Sequence, residues 1–260
     1  MSTLVLKELS DGILRLTLND APTRNSLSEA MIDTLHSALS AADAKVIVIA
    51  SQGPAFSSGH NLKDITAHRT DVDEGAAYFK NLFDKCAALM LAITTHPCPV
   101  IAEVDGLASA AGCQLVASCD LAIATDRSSF CTPGVNIGLF CSTPMVAVTR
   151  ALGRKHAMEL LLTGDVFPAS DALRMGLVNK VVSHNELKTV TEELARKIAS
   201  KSGVAIGIGK QAFDAQGSLP TADAYSYMAQ IMADNLLLGD AKEGIGAFIQ
   251  KRHPNWEQNN

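Results

Sequence analysis

Residues 46–50 read Val-Ile-Val-Ile-Ala, an unbroken apolar run. In a strand, successive side chains point to opposite faces, so such a run predicts a strand covered on both sides. The stretches 99–106 (PVIAEVDG) and 120–126 (DLAIATD) read the same way. Near the start, Leu14, Leu16 and Leu18 alternate with Arg15, Thr17 and Asn19, which predicts a strand with one buried face. Helical spacing fills the intervals. Ser26 and Glu29 have the spacing of a capping box, and Leu27, Met31, Leu35 and Leu39 then repeat every fourth residue. A long helical stretch runs from Glu74 to about Thr94, and a shorter one from about Ala110 to Ser118. After Lys180 the pattern is helical, with Leu187, Val190, Leu194 and Ile198 on one face and further helices over 222–237 and 242–250. The chain reads as strand–helix units followed by a helical tail, without a linker or short-period repeat.

Two of the buried strands run into loops of small residues. Gly53 to Asp64 (GPAFSSGHNLKD) follows the first, and Asp105 to Cys113 (DGLASAAGC) follows the second. Small residues stand where a backbone must come close to something. The second loop opens a helix, and a helix start presents unpaired N–H groups and about half a positive charge. One N–H from each loop can grip a single oxygen; tightly packed turns are the other reading.

Other chemistries lack their signatures. "GVAIGIGK" (203–210) has Val204 where a phosphate-binding loop needs Gly and Gln211 where it needs Ser or Thr, so it reads as a helix with small residues. The seven histidines form no His-Glu-x-x-His pair, and no Gly-x-Ser-x-Gly elbow occurs, so neither a metal site nor a serine hydrolase is expected. With a net charge of −5 and no basic block, nucleic acid is not an expected partner. No apolar run reaches the ~20 residues that span a bilayer. Six cysteines without a Cys-x-x-Cys pair predict buried, reduced thiols. The opening "MSTLVLKELSDG" has no basic region before an apolar run. These features together predict a soluble, cytoplasmic protein, or one from a matrix-like compartment with its targeting sequence absent.

Five stretches in order resemble the crotonase superfamily, the enoyl-CoA hydratase/isomerase family. They are "RNSL" (24–27), "FSSGHNL" (56–62), the block 100–124, "LLTGDVFPASDALRMGLVNKVV" (161–182) and "AFIQKRHPNW" (247–256). Within that family the text is similar to the enoyl-CoA hydratase domain-containing proteins of the third type. The resemblance implies an α/β fold, the crotonase-like (ClpP/crotonase) spiral of stacked ββα units, over residues 1–195. It also implies a C-terminal helical trimerisation region over 196–260, assembling a trimer or a dimer of trimers. The implied ligand is an acyl-CoA thioester, with coenzyme A part of the substrate and neither a separate cofactor nor a metal. By position, the backbone N–H groups of His60 and Ala111 form the oxyanion hole. Substrate contacts are implied for Arg24, Ser58, Asn61, Lys63, Gly112, Phe248 and Lys251, while Arg24, Lys63 and Lys251 also read as solvated surface cations.

Family reactions pass through a thioester enolate, whose oxygen preorganised N–H donors stabilise. The two glutamates that hydration uses fall at Gln114 and Gly134. Glutamine has no proton to exchange, and glycine is expected to supply only room. Asn136, Cys141, Ser142 and Thr143 are the polar replacements in reach of that segment, or else loop and packing residues. Asp120 is expected to cap local backbone and the His60 imidazole to pack aside. The reading is therefore a nominal enoyl-CoA hydratase of doubtful hydratase activity. The alternatives are a non-catalytic acyl-CoA-binding protein, a crotonase with other chemistry such as acyl-CoA decarboxylation, or a structural oligomer subunit.

Overall fold

A computed structural model describes residues 3–256; Met1 and Ser2, at the head of the segment read for a leader, lie outside the described residues. The chain opens with an antiparallel hairpin of β1 (Val5–Ser10) and β2 (Ile13–Leu18). After α1 (Glu29–Ser40), a two-strand and helix pattern repeats. A long strand, β3 (Val46–Ser51), is followed by a short one, β4 (Ala55–Ser57), and then by α2 (Leu62–Ala67) and α3 (Ala76–Thr94). Next come β5 (Val100–Val104), β6 (Leu107–Ser109) and α4 (Ala111–Ser118). The third turn is β7 (Leu121–Thr125) and β8 (Ser129–Cys131), followed by α5 (Ser142–Ala151) and α6 (Arg154–Thr163). The chain continues through β9 (Phe167–Pro168), α7 (Ala169–Met175), β10 (Lys180–Val182) and α8 (Leu187–Ala199). It closes with α9 (Gly203–Gly217), α10 (Thr221–Leu237) and α11 (Gly239–Ile249).

Long and short strands go to different sheets. The long ones lie in the order β1-β2-β3-β5-β7-β10, parallel from β2 onward. The short ones stack as β4-β6-β8-β9. These are the expected ββα turns. Every residue of β5, and all of β3 before Ser51, is buried, as their unbroken apolar runs require. One face of the large sheet packs under α1, α3 and α4 in the main core, which includes Leu16, Leu35, Ile49, Leu89 and Phe130. On the other face, Val46, Val48 and Ile101 meet α8.

The capping box is not formed. The cap of α1 is Ser28, whose Oγ accepts from Met31 N, and Ser26 Oγ is buried without a partner among the described residues. Leu27 must bury its side chain before the helix begins, which moves the start beyond Ser26. Glu29 reaches α3 instead, accepting from Asn81 Nδ2 (2.8 Å) and pairing with Lys85 (3.1 Å).

Asp120 behaves as expected toward local backbone, accepting from Val100 N at 2.7 Å. It also pairs with Lys210 of α9, whose Nζ donates to Ile93 O (3.0 Å), Cys98 O (3.1 Å) and Asp120 Oδ2 (2.7 Å). Burial pushes the Asp120 carboxyl up, and the adjacent ammonium opposes that shift. Lys210 thus joins α9 to the end of α3, the entry to β5 and the entry to β7. None of the described helices is long and apolar enough to cross a membrane.

Candidate active site

The first small-residue loop is strapped down by residues 24–27. Arg24 and Asn25 both adopt left-handed backbone, φ 57° and 53°. Asparagine tolerates that region better than most residues, and here it is fully buried. Its Nδ2 donates to Gln52 O (2.8 Å) and Ala55 O (2.9 Å), and its Oδ1 accepts from Asp20 N (2.8 Å). Ser57 Oγ donates to Asn25 O (2.8 Å), Ser58 N to Arg24 O (3.0 Å) and Leu27 N to Gly59 O (2.8 Å). The sequence reading missed Asn25 and Ser57; an Asn in the Arg-Asn-Ser-Leu stretch was the signal for a left-handed turn.

The second loop ends at Ala110, a non-glycine residue at φ 50° whose N–H donates to Cys131 O (2.9 Å). Ala111 begins α4, so its own N–H has no acceptor within the helix. The two loops touch. A Cβ placed on Gly59 would lie 2.9 Å from Ser109 O and 3.2 Å from Ala111 N. A Cβ on Gly112 would overlap the Ser57 carbonyl oxygen. Glycine is required at both places because backbone packs directly on backbone.

His60 follows Gly59. Its main-chain N–H has no acceptor among the described residues. Its ring does not turn to solvent: Nδ1 bonds Leu27 O at 2.9 Å, and the ring stands edge-on to Phe83 with centroids 5.4 Å apart. Burial pushes the imidazole below its ordinary value, and the Leu27 bond only partly counters this. Nε2 is buried and unpartnered among the described residues. Across the contact, Gln114 sits one turn into α4, 3% exposed, with Oε1 also buried and unpartnered.

Gly134 is not a roomy position. A Cβ there would lie 3.0 Å from both Cys141 Sγ and Leu139 O, because the segment folds back on itself with Leu139 N donating to Gly134 O (2.9 Å). The glycine is a close-packing residue. Of the polar groups nearby, Asn136 Nδ2 reaches Gly164 O (3.4 Å) and Ser142 Oγ reaches Phe140 O (3.3 Å), so both serve local backbone. Thr143 lies in the first turn of α5. Cys141 is buried, and burial raises its thiol.

The remaining expected contacts fall in two places. Arg24, Ser58, Asn61 and Lys63 lie together along the first loop and the start of α2, where Ser58 Oγ donates to Thr23 O (3.1 Å) and Asn61 Oδ1 caps Lys63 N (3.0 Å). Phe248, 84% exposed, is on α11, and Lys251 follows that helix, which packs on α9 and α10. No hydrogen bond or ion pair among the described residues joins these two side chains to the loops.

At the contact between the two loops, the main-chain N–H groups of His60 and Ala111 and two buried acceptors, His60 Nε2 and Gln114 Oε1, have no hydrogen-bond partner among the described residues. A sequence model of the enoyl-CoA hydratase/isomerase family matches residues 8–259. The human protein called enoyl-CoA hydratase domain-containing protein 3, mitochondrial, is 51% identical over 251 residues, 95% of this chain and 81% of that one. The crystal structure of its human namesake superimposes with a TM-score of 0.91 at 48% identity, covering 98% of this chain and 100% of that one. An enoyl-CoA hydratase structure from Mycobacterium smegmatis superimposes with a TM-score of 0.92 at 42% identity, covering 98% and 99%. These likenesses confirm the crotonase α/β fold. They overturn the expected cytoplasmic location, since the rat, human and mouse relatives are all named as mitochondrial. The free thiols, buried except for the partly exposed Cys98 and Cys119, suit either compartment, so composition did not separate them.

Proposed function

Since this chain belongs to the enoyl-CoA hydratase/isomerase family, we propose that it binds an acyl-CoA thioester and stabilises the thioester enolate through the main-chain N–H groups of His60 and Ala111. The observation that carries this reading is the contact between the two loops, with the position of a Gly59 Cβ only 3.2 Å from Ala111 N. Residues 60 and 111 are thereby brought close together, and neither main-chain N–H has an acceptor among the described residues. A donor of this kind contributes ~2.7–4 kcal/mol to the transition state in enzymes where one has been removed. Backbone donors do not depend on the side chain, so a histidine and an alanine serve equally.

Hydration is not the reaction we assign. It needs a carboxylate to activate water and another to protonate carbon, and Gln114 and Gly134 stand at those positions. Enolate formation asks only for the oxygen donors and one proton acceptor. Coenzyme A enters as part of the substrate. Arg24 and Lys63, exposed beside the first loop, suit its phosphates. The loss of both carboxylates favours a second reading, an acyl-CoA binder without turnover. Self-association as a trimer or a dimer of trimers falls to α9, α10 and α11.

Titration of the purified chain with butyryl-CoA, with free coenzyme A as the reference, tests the reading. We expect saturable binding that the acyl group strengthens, and its loss in Gly112→Ala, which forces the second loop off Ser57. Failure of the unaltered chain to bind butyryl-CoA would overturn the reading.

A further inference from the structure

The His60 ring is held in one posture, with Nδ1 on Leu27 O and its edge relation to Phe83 at 77°. A carbonyl oxygen only accepts, so the proton lies on Nδ1 and Nε2 carries a lone pair. That lone pair is buried and has no donor among the described residues. Such an atom costs about 1–3 kcal/mol when left unpaired, and folded proteins keep few of them without a use. Gln114 Oε1, in the first turn of α4, is a second buried acceptor without a donor among the described residues. His60 directly follows Gly59, and Gln114 lies in the first turn of the helix that begins at Ala111, so both belong to the segments that meet at Gly59 and Ala111.

Only one of them can move a proton. A carboxamide forms hydrogen bonds but does not exchange a proton at neutral pH. The other titratable side chains in 57–61, 109–114 and 131–141 are Cys113, Cys131 and Cys141, and burial holds all three thiols protonated. The imidazole, desolvated and without a counter-charge, is in its base form at neutral pH.

We propose that His60 Nε2 is the proton acceptor of this site, taking a proton from the α-carbon of the bound thioester while the main-chain N–H of the same residue holds the thioester oxygen. The α C–H bond breaks, its proton forms an N–H bond at Nε2, and the electron pair moves onto the oxygen. The Nε2 proton exchanges with solvent, and the imidazolium returns a proton to the same carbon. A base of this kind contributes ~10²- to 10⁴-fold, and it replaces the proton-handling side chains that Gln114 and Gly134 do not provide. The inference rests on the acyl-CoA reading of the site.

Butyryl-CoA in deuterium oxide is the probe, with deuterium at its α-carbon followed by mass spectrometry at saturating thioester, so that changes in affinity drop out. The unaltered chain is expected to exchange the α-hydrogens well above the buffer rate. His60→Asn keeps the backbone donor and a side-chain amide for Leu27 O but has no basic nitrogen; exchange should fall by ~100-fold or more. Dissolved imidazole should restore part of the rate. His60→Gln provides a second variant should the first fold poorly. Binding without exchange by the unaltered chain, or variants that exchange at its rate, would overturn the proposal and leave the acyl-CoA reading standing. Absence of binding overturns both.

Discussion

A buried, neutral imidazole ties stability to pH. The folded value for His60 is below the ordinary 6.5, with burial as the main cause. Between those two values the unfolded chain takes up a proton that the folded chain refuses. Stability is therefore complete above about pH 6.5 on this account and is lost as pH falls toward the folded value. Urea midpoints measured from pH 7.5 down to 5.5 should drop more steeply for the unaltered chain than for His60→Phe, which keeps the ring packing and cannot protonate. Parallel slopes would mean that the ring takes up a proton as readily in the folded chain as in the unfolded one. At this scale the sequence was legible where identity dictates conformation and less so where it dictates partners. Two glycine-bearing loops were visible as close-approach points. The three bonds of the Asn25 side chain were not, because they depend on Gln52 and Ala55 arriving from another part of the chain.

Among elements, legibility followed length. The apolar runs of β3 and β5 could only be buried strands, and the four-residue repeat of α1 could only be an amphipathic helix. β4, β6 and β8, three residues each, are too short for any periodicity to declare itself, so only the family resemblance implied a second sheet. The start of α1 was misplaced because Ser26 and Ser28 both offer a capping hydroxyl, and packing of Leu27 decides between them. The segment 133–141 was misjudged in a different way: Gly134 was read as open space and is pressed against Cys141. Gly134→Ala should therefore destabilise the protein by ~1–3 kcal/mol, the usual cost of overpacking. Cys141→Ala, which removes the sulfur it meets, should recover part of that loss. Chemical denaturation of the two single variants and the double variant checks this, with a coupling of ~0.5–3 kcal/mol expected for residues in contact. Simple additivity would mean that the segment yields elsewhere. Restoring a glutamate at Gly134 meets the same obstacle, so re-creating a hydratase needs more than the two carboxylates.

On the scale of the molecule, α10 runs for 17 residues without one buried. Tyr225, Met232 and Leu236 step by seven and four along one face, and Tyr225 is 76% exposed. A lone chain would leave this apolar stripe in water, together with Phe213 and Phe248 on the neighbouring helices. Light scattering of the purified protein should give the mass of three or six chains, and Met232→Asp should lower it; a monomeric mass for the unaltered chain would remove the role given to these helices. The family resemblance supplied the trimer, whereas composition and periodicity supplied only the helices.

Lys210 bears on how such a chain can be shortened. Removing everything after Ser202 would delete the ammonium group that three stretches share, stranding a half-sunken carboxylate at Asp120 and the carbonyls of Ile93 and Cys98. The tail read as an assembly module is thus also a rivet through the body of sheets and helices, and a truncated protein would suffer damage at the rivet hole before any question of subunit contacts arose.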